Sequence, residues 1–476
     1  MVFIIMLYFV CGMWYNESIN IVMRLEIGKM SFSVGMVSLG CSKNQVDAER
    51  MLYKIKEAGH RLVGDAALAD IAIINTCGFI QSAKEEAIET ILEFAELKKE
   101  GRIKKIIITG CLAERYREEI LKEIPEADGV IGIGCNDDIV SVIDEIEKGE
   151  TVVRFDKKEN LSVTGGRVQT TLPFFAYLKI AEGCSNCCTY CAIPQIRGKF
   201  RSVPMEDVVA EARELAESGV RELIVIAQDS TRYGQDLYGK LMLPELLKKL
   251  CEIGELKWIR VLYCYPERIT DELLHVMASE EKIVKYMDIP IQHCNGEILK
   301  RMNRSGDNGS LRRLMAHIRE EVPGIILRTT LITGFPGETE EQFEELAEFV
   351  RDVKFDRLGC FPYSAEENTP AASFDGQIDD EVREHRADVI MEEQMRVVDR
   401  RNVELRGKVL EVVTEGYDRY GDCYFGRSAM DAPDIDGKIF FKSPDCKLVM
   451  GKFVNVRIDD ILDYDLIGER TDEPAE

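Results

Sequence analysis

The chain has 476 residues, 45% of them hydrophobic and 31% charged, enough to bury several cores and incompatible with a disordered tail, a collagen-like repeat or a disulfide-stapled mini-domain. The 61 Lys and Arg against 85 Asp and Glu leave a formal charge of −24, which repels a phosphate backbone and suits a basic protein partner better. Fifteen cysteines with no export signal read as thiols or metal ligands of a reducing, cytoplasmic compartment, so no disulfides are expected.

The stretch from Met1 to Tyr15 is apolar but carries no Lys or Arg, and the first basic residue of the chain is Arg24. It lacks the charged start of a signal peptide and falls short of the ~20 apolar residues of a span. Residues 1–32 therefore read as an extension ahead of a start near Met30, with no membrane element. From Ser33 the runs SVGMVSL, DIAIIN, KKIIIT and GVIGI alternate with helical stretches at Val46 to Ala58 and Ala83 to Leu97, the pattern of a doubly wound parallel sheet over 33–150. A polar, Gly-containing linker is expected over 151–172. In 173–402 six further strands are predicted, at Tyr177–Ala181, Glu222–Ala227, Trp258–Tyr263, Tyr286–Ile291, Ile325–Ile332 and Arg357–Phe361. Each is followed by a helical stretch, as in an incomplete version of the eight-unit βα barrel. A charged helix from Asp379 to Arg401 leads into 403–476. There, short β-rich runs at Lys408–Glu415, Tyr420–Arg427, Gly437–Phe441 and Phe453–Asp459 predict a small antiparallel barrel.

Cysteine spacing carries the chemistry. Cys184, Cys188 and Cys191 form CxxxCxxC in EGCSNCCTYC, directly after the first barrel strand. Three thiolates on one loop suit an iron-sulfur cubane with one iron left open to bind a substrate, whereas structural zinc needs a fourth ligand and none follows nearby. Cys187 is a rival for the middle position. A second triad follows from the fold: Cys41, Cys77 and Cys111 end three successive strand runs, 36 and 34 residues apart, and so share the carboxyl edge of a parallel sheet, where ligands bind. Three small buried hydrophobes at strand ends are the competing explanation. Cys135 ends GVIGIGC at a similar junction and competes as a ligand. Cys11, Cys251, Cys264, Cys294, Cys360, Cys423 and Cys446 have no ligand spacing and read as packing residues.

EGCSNCCTYCAIPQIRGKFRSVP resembles the signature of radical S-adenosylmethionine (SAM) enzymes. Together with the amino-terminal triad, the partial barrel and a carboxy-terminal module of TRAM type, it makes the chain from Met30 resemble the methylthiotransferases. SLGCSKNQVDAE, AQDSTRYG, DIPIQH, RTTLITGFPGET and RSAMDAPDIDG resemble the RimO branch, which modifies a ribosomal protein, more than the GCQMN pattern of the transfer-RNA branch. Ser42 stands where that branch usually has Pro, and Ala48 where it usually has Ser.

The resemblance implies two 4Fe-4S clusters, each on three cysteines, with SAM chelated at the open iron of the Cys184, Cys188 and Cys191 cluster and sulfur presented by the other. It implies transfer of a methylthio group to the β-carbon of an aspartate of the basic twelfth small-subunit ribosomal protein, with a one-electron reductant of flavodoxin or ferredoxin type. The alternatives are methylthiolation of a transfer-RNA adenosine and a non-enzymatic electron carrier. By the same resemblance Tyr190 is a candidate to pack on the adenine, Gly334 and Gly337 to let SAM approach the backbone, and Gln228, Asp229, Gln292 and Arg328 to hold its polar groups. His293 reads as a satisfied core histidine. From Val403 on, ten basic residues face seventeen acidic ones, so Asp431, Asp434, Asp436, Asp459, Asp460, Asp463 and Asp465 are expected to attract a basic protein.

Overall fold

The computed structural model describes residues 31–444 and 447–475. Most of the amino-terminal extension lies outside the described residues, as do Cys11 and Cys446. Every described cysteine is a free thiol, and no helix among the described residues is long and apolar enough to cross a membrane.

The amino-terminal domain is a six-stranded parallel sheet in the order β2-β1-β3-β4-β5-β6, comprising β1 (Ser33–Ser38), β2 (Arg61–Leu62), β3 (Ile71–Thr76), β4 (Lys105–Gly110), β5 (Gly129–Ile131) and β6 (Val152–Arg154). β3 is buried along its whole length, as the central strand of a sheet covered on both faces must be. Helix α1 (Ser42–Glu57) follows β1, α2 (Gln81–Lys99) follows β3 and α3 (Cys111–Tyr116) follows β4. Ala48, Met51 and Ile55 of α1 recur at helical spacing and are almost wholly buried, as is Val46 on the opposite side, while Lys43, Asn44, Asp47, Glu49 and Arg50 of the same helix are buried too. An all-round buried helix with charges on one side must meet a polar partner, and that partner is the next domain. β6 lies in the stretch that reads as linker in the sequence.

The second domain is a six-stranded parallel sheet, β14-β13-β12-β11-β10-β7. Its strands are β7 (Phe175–Lys179), β10 (Glu222–Ile226), β11 (Trp258–Val261), β12 (Ile283–Asp288), β13 (Ile326–Thr333) and β14 (Arg357–Pro362), and the two-residue strands β8 (Ala181–Glu182) and β9 (Arg201–Ser202) pair beside it. One face, with Ala176, Leu178, Leu223, Val225, Ile259 and Leu327, packs on the helices. The concave face presents Phe175, Tyr177, Ile224, Ile226, Trp258, Tyr286 and Ile326, which pack with Val46 of α1 and with Val413 and Ala432 of the third domain. The short helix α4 (Ile193–Arg197) follows the CxxxCxxC loop, and α5 (Asp380–Leu405) leads out.

The third domain is a closed barrel, β15-β16-β17-β19-β18, built from β15 (Val409–Asp418), β16 (Cys423–Ser428), β17 (Ile439–Lys442), β18 (Phe453–Leu462) and β19 (Asp465–Thr471). Two features differ from the sequence reading. β17 and β19 pair parallel, so the barrel is not purely antiparallel, and β19 was not expected. Its run DLIGERT mixes charges with apolar residues because alternate side chains face solvent, which hides a strand in a polar tail.

Candidate functional site

β1, β3 and β4 are neighbours in the sheet, and a cysteine stands at or just beyond the carboxyl end of each: Cys41 is the N-cap of α1, Cys77 directly follows β3, and Cys111 opens α3. Three positions separated by more than 30 residues are thereby brought together along one sheet edge. The three thiols sense one another electrostatically. Burial pushes the Cys111 thiol up to about 12, against the pull of the Arg197 charge, and also raises Cys77. Cys41 is exposed; partial desolvation by its surroundings raises it, but the charges of Lys43 and Arg197 and the amides of Asn44 and Lys43 outweigh this and set that thiol below its ordinary value.

Space for the triad is kept by glycine. Gly40 has φ of 86°, and a Cβ there would lie 2.6 Å from the Cys77 Cβ and 2.8 Å from its Sγ. A Cβ on Gly78 would sit 2.7 Å from the Leu112 backbone, beside Cys111. Any side chain at either position would intrude on the ends that carry the thiols. Cys135, by contrast, is fully buried in the apolar core with Ile131, Ile139 and Val142. Burial pushes its thiol up to about 11 and its charged neighbours are Asp138, Asp156 and Arg154, not other thiols.

The second triad lies on the loop after β7 and β8. Cys184 and Cys188 are buried and Cys191 half-buried; the Cys184 amide donates to the Gly198 carbonyl at 3.0 Å, and the Cys191 amide to the Cys188 carbonyl at 3.1 Å. Burial raises the Cys184 thiol to about 11, with the Cys188 sulfur adding to the rise, and it raises Cys191 as well. Cys187 instead is exposed, with φ of 53°. Among the described residues no three His, Cys, Asp or Glu side chains are grouped to hold a single metal ion; a cubane takes its thiolates further apart than the ~3.8 Å that zinc–sulfur bonds of about 2.3 Å set in a tetrahedral site.

The loop is tied to the barrel by the surrounding residues. Asp229 is fully buried and accepts from Asn186 at 3.0 Å, Arg268 at 2.9 Å and Thr231 at 2.6 Å. Its oxygens therefore anchor the cysteine loop. Gln228 stands one residue earlier, half-buried at the end of the second barrel strand. Tyr190 packs with Ile298, Met302, Phe335 and Tyr363. Gln292 has φ of 71° and its backbone bridges to β13 through Thr330 and Ile332. Arg328 ion-pairs with Asp288 at 2.8 Å and faces Asp436 of the third domain at 3.8 Å. A Cβ on Gly334 or Gly337 would run into the side chains of Arg383 and Arg301 respectively, so the protein itself fills the space beside both glycines. His293 is buried and accepts the Asn295 amide at Nδ1, 2.9 Å away.

Sequence reasoning missed three residues here. Arg304, buried, crosses the Tyr265 ring at 4.3 Å and gives one nitrogen to the Pro290 carbonyl at 2.8 Å. Its Nη1 is buried without a hydrogen-bond partner, and its charge is felt at Tyr190 and Cys191. Arg197 donates to the Cys111 sulfur at 3.6 Å and to Asp47 at 2.9 Å. Asp47 sits on α1 and Arg197 at the end of α4, so this contact joins two domains; no local pattern announces a pair 150 residues apart.

Of the acidic residues of the third domain, two were misread as a docking face. Asp431 and Asp436 have almost no exposed side chain because they pair with Arg357 and approach Arg328 inside the concave face of the second domain. A carboxylate that neutralises a buried guanidinium cannot also attract a partner from solvent.

Three family models match the chain: an uncharacterized protein family, UPF0004, over residues 33–132, the radical SAM superfamily over 178–350, and a TRAM domain over 407–470. A ribosomal protein uS12 methylthiotransferase RimO of Lachnoclostridium phytofermentans is 53% identical over 91% of this chain and 98% of its own. Proteins of the same name from a Thermoanaerobacter species and from Clostridioides difficile are 50% and 48% identical over 92% of this chain and 99% and 98% of theirs. In fold, the chain resembles the radical SAM methyltransferase TsrM from Kitasatospora setae, with a TM-score of 0.53 at 14% identity, covering 72% of this chain and 77% of that one.

Proposed function

Because the chain belongs to the RimO family of radical SAM methylthiotransferases, we propose that it transfers a methylthio group to the β-carbon of an aspartate of ribosomal protein uS12, using two clusters, one on each cysteine triad. The observation that carries this reading is the convergence of Cys41, Cys77 and Cys111 on one sheet edge, joined through Arg197 to the segment that follows the CxxxCxxC loop.

The donor sets fit cubanes with an open iron: three thiols each, and at the Cys41, Cys77 and Cys111 triad a glycine, Gly40, where a Cβ would displace the Cys77 thiol. When bound, the cluster on Cys184, Cys188 and Cys191 supplies the electron that cleaves SAM, and the one on Cys41, Cys77 and Cys111 supplies the sulfur. The chain does the rest. Arg304, with its unpartnered buried nitrogen, would hold the SAM carboxylate, and Tyr190 would wall the adenine; Gln228 and Gln292 would meet polar groups of SAM or substrate. Asp229, through Asn186 and Arg268, keeps the cysteine loop in place. The concave face, closed by the third domain, excludes water from a site that must shield a carbon radical. The electron enters from a one-electron donor, and the cytoplasm is where ribosomal protein and reductant meet.

The test is anaerobic reconstitution with iron and sulfide, then incubation with SAM, reductant and either purified uS12 or total transfer RNA. A methylthio mass on one aspartate of uS12 is expected. Modification of transfer-RNA nucleosides with uS12 unchanged overturns the reading.

A further inference from the structure

Four charged side chains meet at the junction of the first two domains: Asp47, Lys179, Glu182 and Arg197, each no more than 2% exposed. Lys179 donates to Glu182 at 2.7 Å and also to Asp47. Arg197 Nη1 donates to Asp47 at 2.9 Å and to Glu182 at 3.1 Å, while Nη2 reaches Asn44 at 3.3 Å and the Cys111 sulfur at 3.6 Å. Its Nε is buried with no hydrogen-bond partner. The positions of these residues in the chain give the arrangement its meaning. Lys179 and Glu182 lie just before Cys184, and Arg197 comes six residues after Cys191, so the trio flanks the Cys184, Cys188 and Cys191 triad. Asn44 and Asp47 lie in the first two turns of α1, whose N-cap is Cys41. One guanidinium thus ties together the segments that carry both triads.

The charges of this quartet cancel, so on net charge the bridge adds nothing to either triad. The asymmetry is positional. The guanidinium touches Cys111 directly through Nη2, whereas both carboxylates meet its other terminal nitrogen, Nη1. A hydrogen bond and a positive charge at a ligating sulfur favour the more negative, reduced form of an iron-sulfur centre and raise its potential. A lysine at 197 would keep the charge, but the planar fork that reaches Asp47, Asn44 and Cys111 at once is a property of arginine.

Resting on the two-cluster reading above, we propose that Arg197 is a positioning residue of the sulfur-supplying centre: clamped by Asp47 and Glu182, it holds the Cys111 thiolate and raises the potential of the cluster in the amino-terminal domain, while locking that domain to the loop that binds the other cluster.

The experiment is an EPR-monitored redox titration of the full-length, anaerobically reconstituted protein, with iron content measured for wild type, Arg197→Gln, Arg197→Lys and Asp47→Asn. The two signals are assigned with a Cys184→Ala/Cys188→Ala/Cys191→Ala variant. Arg197→Gln is expected to move the amino-terminal cluster to a more negative potential and leave the other unmoved, Arg197→Lys to recover most of that change, and Asp47→Asn to move the same cluster the opposite way, since it removes a carboxylate that offsets the guanidinium. Should Arg197→Gln load only one cluster, the Lys and Asn variants decide on the same criterion. Wild-type potentials at both clusters in every variant that loads them would overturn the proposal. Iron for a single cluster in the wild-type protein would instead overturn the two-cluster reading, and this inference with it.

Discussion

Gly40 shows how a single backbone position governs the site. Its φ of 86° and the 2.8 Å between a would-be Cβ and the Cys77 sulfur leave no room for alanine, which also costs about 1–2 kcal/mol in left-handed backbone. Gly40→Ala is expected to lower the melting temperature modestly and to lose the iron of one cluster while retaining the other, as iron analysis and thermal denaturation will show. Full iron content would mean that the Cys41–Cys77 geometry is not what holds the metal. Arg304 makes a second prediction at this scale. If its unpartnered nitrogen takes the SAM carboxylate, Arg304→Gln removes a charge-assisted hydrogen bond, and the KM for SAM should rise about 10-fold or more, with uS12 binding unaffected in a titration of the unmodified protein.

The element that joins the domains on their other side is the segment between β16 and β17. It lies across the concave face of the second domain, with Asp431 on Arg357, Asp436 accepting from the Tyr286 hydroxyl at 2.7 Å, and Arg260 donating to the Ala429 carbonyl at 3.0 Å. Beside it Arg427 pairs with Glu222 and with Glu415. The six-stranded sheet is left open between β14 and β7, and this segment packs against its concave face. Asp431→Asn should strand the Arg357 charge and cost about 3 kcal/mol, measured as a lower midpoint in urea; an unchanged midpoint would show that the segment only rests on the sheet. The strands themselves were legible because parallel, doubly covered strands read as continuous Ile and Val runs, and the cysteines could be placed at their ends on that basis. Asp431 and Asp436 misled because a sequence gives their charge and not their burial. Asp47 and Arg197 were silent for a related reason: a buried ion pair between domains leaves no periodicity in either segment.

Across the whole molecule, the charge of −24 still favours a basic substrate, but the face that exerts it is smaller than composition suggests. Asp434, Asp459, Asp460 and Asp463 remain exposed, Asp459 beside Arg457 and Asp460 beside Arg406, whereas Asp465 is half-buried and accepts the Lys438 amide. Changing Asp434, Asp459 and Asp463 together to Lys should slow modification of uS12 several-fold at low salt and much less at high salt, because steering by exposed charges is screened within about 10 Å at 0.1 M. Equal rates at low salt would remove the electrostatic contribution. The division of labour between the two cysteine triads is tested most directly by a Cys41→Ala/Cys77→Ala/Cys111→Ala variant, supplied with SAM, reductant and uS12, with 5′-deoxyadenosine and the mass of uS12 measured in the same reaction. SAM cleavage should persist while the methylthio mass disappears from uS12; a methylthio product from that variant would contradict the account.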